Sequence, residues 1–455
     1  MPVWIKGKAM VAAASCTFSP FETSLWYATA QAAPATVALQ GTEKADVCIV
    51  GGGYSGLTTA LELARQNVSV VLLERKELGF GGSGRNAGHC TPTFIHYRLD
   101  ELPKVLGEPW ASRLIARQTR ANDKVSAYMR EYGMACEWVQ NGYVMGALRP
   151  NQLPELQEKV RSYNAVGART RLLDTEEVTR ITGSPRYVGG WLHEEAGHLN
   201  PLSYARELGR AALKEGARIH THSGVTGCEP QGARWCVRTA QGEVIADKVI
   251  FTTGAYTVGG WPGLDRSYKI QKVFVAATQP LSDAARKTVL PQNTTMHDGR
   301  GDIYVYKYNG EGRIVASMFP MGKRGADLAY TKQVLTDRLK WLHPEIAKEP
   351  IDWPYLWFGE LDMQRRTVPR LYDLAPGVVA LTGLSGRGVP TGSMLGSVLS
   401  EWALGVAAKD LALRLEPLHR APFYMGVGTR VVLHYARLMD NWRSKLSGTT
   451  LPPHA

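Results

Sequence analysis

The chain has 455 residues, 44% hydrophobic and 21% charged, and a formal charge of +12. Those proportions exclude a disordered or collagen-like chain, and the length points to two or three domains. Its 53 Lys and Arg are scattered along the chain, so the charge implies a basic surface or steering of an anionic ligand, and no nucleic-acid motif accompanies it.

Residues 1–41 lack a sustained pattern and read as an N-terminal extension. Lys6 and Lys8 precede an apolar stretch at 10–16 that is too short for a signal peptide. No run reaches the ~18 apolar residues of a transmembrane helix. Six cysteines (Cys16, Cys48, Cys90, Cys136, Cys228 and Cys236) show no C-x-x-C spacing. Neither a metal site nor a dithiol is signalled, and a reducing cytoplasm fits.

The spacing predicts a strand at 47–50, a helix at 57–65 and a strand at 68–73. Between the first two lies Gly51-Gly52-Gly53-Tyr54-Ser55-Gly56. Gly51 permits a tight turn, Gly53 lets backbone approach a pyrophosphate, and Gly56 lets helix pack on strand. Helix N–H groups, from Tyr54 and Ser55 onward, would face the phosphates. Glu74 ends the second strand, where an acid accepts from a ribose hydroxyl, with Arg75 beside it. This unit predicts a dinucleotide without separating FAD from NAD. Residues 79–93 are glycine-rich and irregular.

From 100 to 195 come amphipathic helices and short strands, broken at Pro150 and Pro154. Then follow a helix at 200–216 opened by Pro201, a strand at 218–221, a hairpin at 235–239 and 244–246, and a strand at 248–253. A hairpin at 303–308 and 313–317, turning at Asn309-Gly310, lies in a second mixed region. Residues 377–405 again read strand, glycine turn, helix. The tail is basic and aromatic, with a helix at 427–442. Nucleotide-type turns near both ends predict an α/β fold with a discontinuous cofactor domain (42–100, 196–255 and 356–415). A substrate domain on a mixed or antiparallel sheet (101–195 and 256–355) is interleaved with it, and 416–455 form a helical tail. His193 and His198 stand five apart and cannot share a helix face as a zincin pair. Neither G-x-S-x-G nor a Walker A sequence occurs.

Gly79-Phe80-Gly81-Gly82-Ser83-Gly84-Arg85-Asn86-Ala87-Gly88 resembles the segment after the second strand in flavin amine oxidases of the D-amino-acid oxidase superfamily. The resemblance continues through Gly197-His198-Leu199-Asn200-Pro201, Thr253-Gly254-Ala255-Tyr256, Gly383-Leu384-Ser385-Gly386-Arg387-Gly388-Val389 and the tail to 445. It implies a glutathione-reductase-like FAD domain. Relatives with covalent flavin use a cysteine in the later half, and none follows Cys236, so the expected FAD is non-covalent.

The resemblance assigns Ser83, Arg85, Asn86, Ala87 and Gly88 to the cofactor, with Arg85 and Asn86 holding pyrophosphate or ribityl oxygens. Surface-turn composition would read the same. Val225 would meet the adenine, and Thr253 and Gly254 the dinucleotide. N–H groups from Gly386, Arg387, Gly388 and Val389 would stabilise the charge of a reduced flavin. Arg387 replaces the family's histidine and serves flavin, substrate or solvent. Lys307 stands where some relatives bind a substrate carboxylate through arginine. His89, Tyr306, Lys307 and Arg387 are the expected substrate contacts. The implied reaction takes hydride from an amine to flavin N5, hydrolyses the imine, and gives peroxide from dioxygen. A dehydrogenase feeding a membrane quinone is the second reading, with peripheral membrane contact through the tail. An NAD-binding dehydrogenase or a non-catalytic nucleotide-binding protein is the third.

Overall fold

The computed structural model describes residues 20–94, 97–320, 324, 327–450 and 452, and of 426–430 the backbone alone. The signal-like stretch and Cys16 lie outside the described residues. The strands of the two large sheets are, in chain order, β1 (Gly41–Val50), β2 (Val70–Leu73), β3 (Tyr143–Ala147), β4 (Thr170–Leu173), β5 (Gly189–His193), β6 (Arg218–His220), β7 (Gly227–Gln231), β8 (Arg234–Arg238), β9 (Gly242–Phe251), β10 (Lys269–Pro280), β11 (Thr295–His297), β12 (Tyr304–Tyr308), β13 (Arg313–Met318), β14 (Tyr355–Met363), β15 (Arg370–Ala375), β16 (Val378–Thr382) and β17 (Leu415–Pro417). Five helices matter below: α1 (Tyr54–Ala64), α2 (Pro201–Lys214), α3 (Leu328–Leu342), α4 (Val389–Ala403) and α5 (Met425–Leu446).

The first sheet runs β17-β15-β16-β9-β1-β2-β6, with the β7–β8 hairpin attached to β9. Its centre is parallel, and Val50 stands opposite both Phe251 and Leu73. The carboxyl ends of three strands therefore align, and the glycine turn opens over them, where open α/β sheets bind ligands. β1 and β2 are fully apolar and buried at their ends (Cys48, Ile49, Val71, Leu72), as parallel strands covered on both faces must be. α1 packs against α4 and α2. This is the α/β architecture expected.

The second sheet runs β14-β10-β13-β12-β11-β3-β5-β4. All its pairs are antiparallel except β3 with β11. α3 covers one face, its Leu335 and Leu339 sharing a buried cluster with Tyr304, Tyr306 and Tyr308 of β12. On the other face Val275, Ala277, Val315 and Trp357 meet Phe21, Leu25, Trp26 and Ala87.

Three expectations change here. Residues 20–30, read as part of an extension, enter the core: Leu25 and Trp26 are fully buried, and Trp26 Nε1 donates to Asn86 O at 2.8 Å. β14 falls in the segment 356–415 assigned to the cofactor domain, yet it pairs with β10 in the second sheet. The β12–β13 hairpin closes through four residues, with Gly312 rather than Gly310 at positive φ (+74°). Asn309 Oδ1 accepts from Glu311 N and Arg313 N, which stabilises the wider loop.

Candidate active site

Gly51 sits at φ +114°, open to glycine alone, and its N–H donates to Leu73 O at 2.9 Å. A Cβ on Gly56 would lie 2.1 Å from Gly51 O and 2.7 Å from Thr252 Oγ1. The turn and α1 are thus interlocked by backbone contact. Gly53 caps α1 without a side chain, and Tyr54 N donates to Ser83 Oγ at 3.0 Å. Glu74 accepts from Gly52 N (2.7 Å) and Lys76 N (2.8 Å) while burial raises its pKa. Its carboxylate therefore braces the turn as well as bordering the cleft.

One continuous cleft is lined by Gly51, Gly53, Tyr54, Glu74, Arg75, Ser83, Asn86, Val225, Thr253, Gly254, Gly386, Arg387 and Gly388. Gly388 caps α4 without a side chain, so the first-turn N–H groups of α4, like those of α1, suit an anionic ligand. A cleft bordered by two adjoining glycine-capped helix starts, with an acid at the end of β2, fits FAD.

Other expected cofactor residues act indirectly. Ser55 donates to Gly392 O at 2.9 Å, joining α1 to α4. Gly56, Gly88 and Val389 are outside the cleft lining. A Cβ on Gly88 would meet Leu199 O at 2.2 Å, so this glycine allows chain contact. Asn86 does not offer its amide to a ligand: Nδ2 donates to Ser83 O (2.9 Å), Gly82 O (3.1 Å) and Tyr54 Oη (3.2 Å), and Oδ1 accepts from Gly88 N (2.8 Å). It holds the loop in shape instead. The Arg85 guanidinium lies 4.8 Å over Phe80 and 5.0 Å over Phe21, and Nε donates to Phe80 O. Expected to hold pyrophosphate or ribityl oxygens, Arg85 stands among these aromatic rings and lines the chamber beside the cleft.

A chamber adjoins the cleft and shares Gly82, Asn86, Glu360, Leu361, Gly386, Arg387 and Gly388 with it. Ala87, His89, Tyr143, His297, Ile303 and Val305 also line it. Arg387 donates from Nη2 to Thr367 O, while buried Nε and Nη1 meet no acceptor among the described residues. Burial draws its pKa down to about 10, so it stays charged at neutral pH. The ring nitrogens of His89 and His297 likewise lack partners among the described residues. Burial pulls His297 down to about 4 and His89 well below its ordinary value. Both imidazoles are therefore neutral.

Tyr306 and Lys307 are not part of this chamber. Tyr306 points into the α3 side and its Oη lies 2.9 Å from His343 Nε2. Tyr306→Phe should lower stability by about 1 kcal/mol and leave kcat/KM within about twofold; urea melts and turnover check both. Lys307 is fully buried, 5.0 Å over the Trp26 ring, with Nζ donating to Leu199 O (3.2 Å) and Tyr308 O (3.0 Å). Burial lowers its pKa to about 7 from an ordinary 10.5. The fold thus binds fewer protons than the unfolded chain across that window, and stability rises with pH from about 7 towards 10.5. Lys307→Met should flatten this slope in urea melts at stepped pH; equal slopes would contradict the assignment.

Several residues escaped the sequence reading. Asp362 on β14 accepts from Gly383 N (2.6 Å) and Ser385 N (3.3 Å), and burial raises its pKa to about 6. It holds the turn that starts α4. His297 and Glu360 lie on strands, and nothing in their local pattern marks them.

The match to known proteins follows this geometry. Relatives include a probable oxidoreductase OrdL of Haemophilus influenzae, 28% identical over 88% of this chain and 93% of that protein. The γ-glutamylputrescine oxidoreductase of Escherichia coli is 28% identical over 85% of this chain and 89% of its own length. The structure of glycine oxidase from Bacillus cereus superposes with a TM-score of 0.64 at 18% identity, covering 80% of this chain and 96% of that one. The model of the FAD dependent oxidoreductase (DAO) family matches residues 46–402. With that span covering both glycine turns and most of both sheets, the chain belongs to the DAO family of FAD-dependent oxidoreductases.

Proposed function

We propose that this protein oxidises a carboxylate-bearing primary or secondary amine, or an imino acid, with non-covalent FAD and dioxygen as the final acceptor. The observation that carries the reading is Arg387, a buried cation with two nitrogens, Nε and Nη1, that meet no acceptor among the described residues, where cleft and chamber meet. A substrate carboxylate can accept a charge-assisted hydrogen bond from such a guanidinium. The names of the relatives, γ-glutamylputrescine oxidoreductase and glycine oxidase, support an amine or amino acid as substrate.

When bound, FAD supplies the hydride acceptor at N5 and the route of electrons to dioxygen. Arg387 holds the substrate carboxylate and so sets where the Cα–H lies relative to the cleft. Neutral His89 and His297 add no positive charge beside the amine and can accept from its N–H to orient it, and the lone pair of the uncharged amine assists loss of hydride. The Val305 and Ile303 side of the chamber limits water at the reacting carbon. Water then hydrolyses the imine to carbonyl and amine.

A peroxide-coupled screen of amines and imino acids in air tests this. The expected result is peroxide in step with carbonyl product, with a preference for carboxylated substrates. Dye-dependent turnover without peroxide would assign the electrons to another acceptor. A preference for uncharged amines would remove the carboxylate from the reading.

A further inference from the structure

We infer that the outer face of α5 is a peripheral docking surface for an anionic lipid bilayer. The helix has two unlike faces. Its inner face is tied down by buried polar bonds. Arg149 donates to Asp440 Oδ1 (2.9 Å) and Ser444 Oγ (3.0 Å), Gly301 N donates to Asp440 Oδ2 (2.6 Å), and Arg300 donates to Asn441 Oδ1 (3.1 Å). Arg437 reaches Asp302 at 3.4 Å. These bonds fix which side of the helix faces outward.

That outward side carries Val431, Tyr435, Leu438, Trp442 and Leu446, each more than half exposed. Their spacing of four, three, four and four residues forms one apolar stripe. Exposed His434 and Lys445 border it on one edge and exposed Arg443 on the other. Phe423, 90% exposed, stands just before the helix. The only acid within 425–446 is Asp440, and it is buried.

Charge decides the occupant. An apolar stripe with basic edges and a tryptophan suits the interface of a bilayer bearing negative headgroups. A second copy of this chain would set the same basic edges against one another, which opposes an isologous contact. No described helix is long and apolar enough to cross a membrane, so the contact is one of surface seating. The loop held by the inner face begins after His297 and ends at Ile303, and both residues line the chamber. Seating α5 on a bilayer therefore places the chamber wall one loop away from it.

The test is cosedimentation of the full FAD-loaded chain with phosphatidylcholine vesicles, with and without phosphatidylglycerol. The protein should pellet with the anionic vesicles and be released by high salt. Leu438→Asp and Trp442→Asp should each weaken binding about tenfold or more, and Arg443→Glu with Lys445→Glu should act likewise through charge alone. Val37→Asp, an exposed apolar control away from the helix, should bind as the parent does. Flavin absorbance shows that each variant is folded. No pelleting with anionic vesicles, or pelleting untouched by these substitutions, overturns the inference. So does a change from dimer to monomer in Leu438→Asp without vesicles, which would give the stripe to a second copy. Sedimentation needs no turnover, so the outcome is independent of the substrate reading.

Discussion

Gly56→Ala should yield protein that loses most of its flavin absorbance on purification. The new Cβ would lie 2.1 Å from Gly51 O, a backbone atom with no freedom to swing aside. Thr252 Oγ1 at 2.7 Å blocks the other direction. Either α1 or the 51–53 turn must shift, and overpacking of this kind costs about 1–3 kcal/mol. The displaced atoms are those that border the cofactor, so FAD affinity should fall about 10- to 100-fold. Gly227→Ala is the control, since its Cβ would meet nothing within 4 Å. Flavin titration of both variants measures the difference. Parent-like FAD binding by Gly56→Ala would show that the cofactor does not rely on this turn.

The second large effect is expected at Arg387. Truncating one partner of a buried charge pair costs about 2–5 kcal/mol, or roughly 30- to 5,000-fold in kcat/KM for a carboxylated amine. Arg387→Ala should lose that much and discriminate poorly between carboxylated and uncharged amines. Arg387→Lys should recover only part, because an ammonium lacks the planar fork. Arg387 also borders the cleft, so FAD affinity must be measured alongside turnover. Weakened FAD binding with discrimination intact would give this residue to the cofactor and not to the substrate.

The cofactor end was readable because its interactions are local. Gly51, Gly56 and Glu74 lie within 24 residues, and their partners Gly52 and Leu73 lie in the same stretch. α1 starts at Tyr54, three residues before the apolar spacing suggested, because the turn feeds directly into helix. Ser83–Gly88 was legible as a polar glycine loop. That Asn86 spends its amide on Gly82, Ser83 and Tyr54 was not, since composition does not say which acceptors a fold supplies.

The substrate end shows the opposite. Alternation along β12 places Tyr306 and Lys307 on opposite faces, but sequence does not say what covers each face. α3 took one face, and the residues around Trp26 took the other. Neither side chain was left to the chamber. His297, Asp362 and Glu360 came to the site on strands of the second sheet, far along the chain from the first glycine turn. By itself, then, the sequence determined a dinucleotide turn, its acid and two glycine-capped helices, because short-range backbone geometry demands those residue types. The tertiary structure alone decided that His297 joins Arg387 and His89 in one chamber while Tyr306 and Lys307 do not. That choice depends on strand order and layer packing across hundreds of residues, which no local pattern encodes.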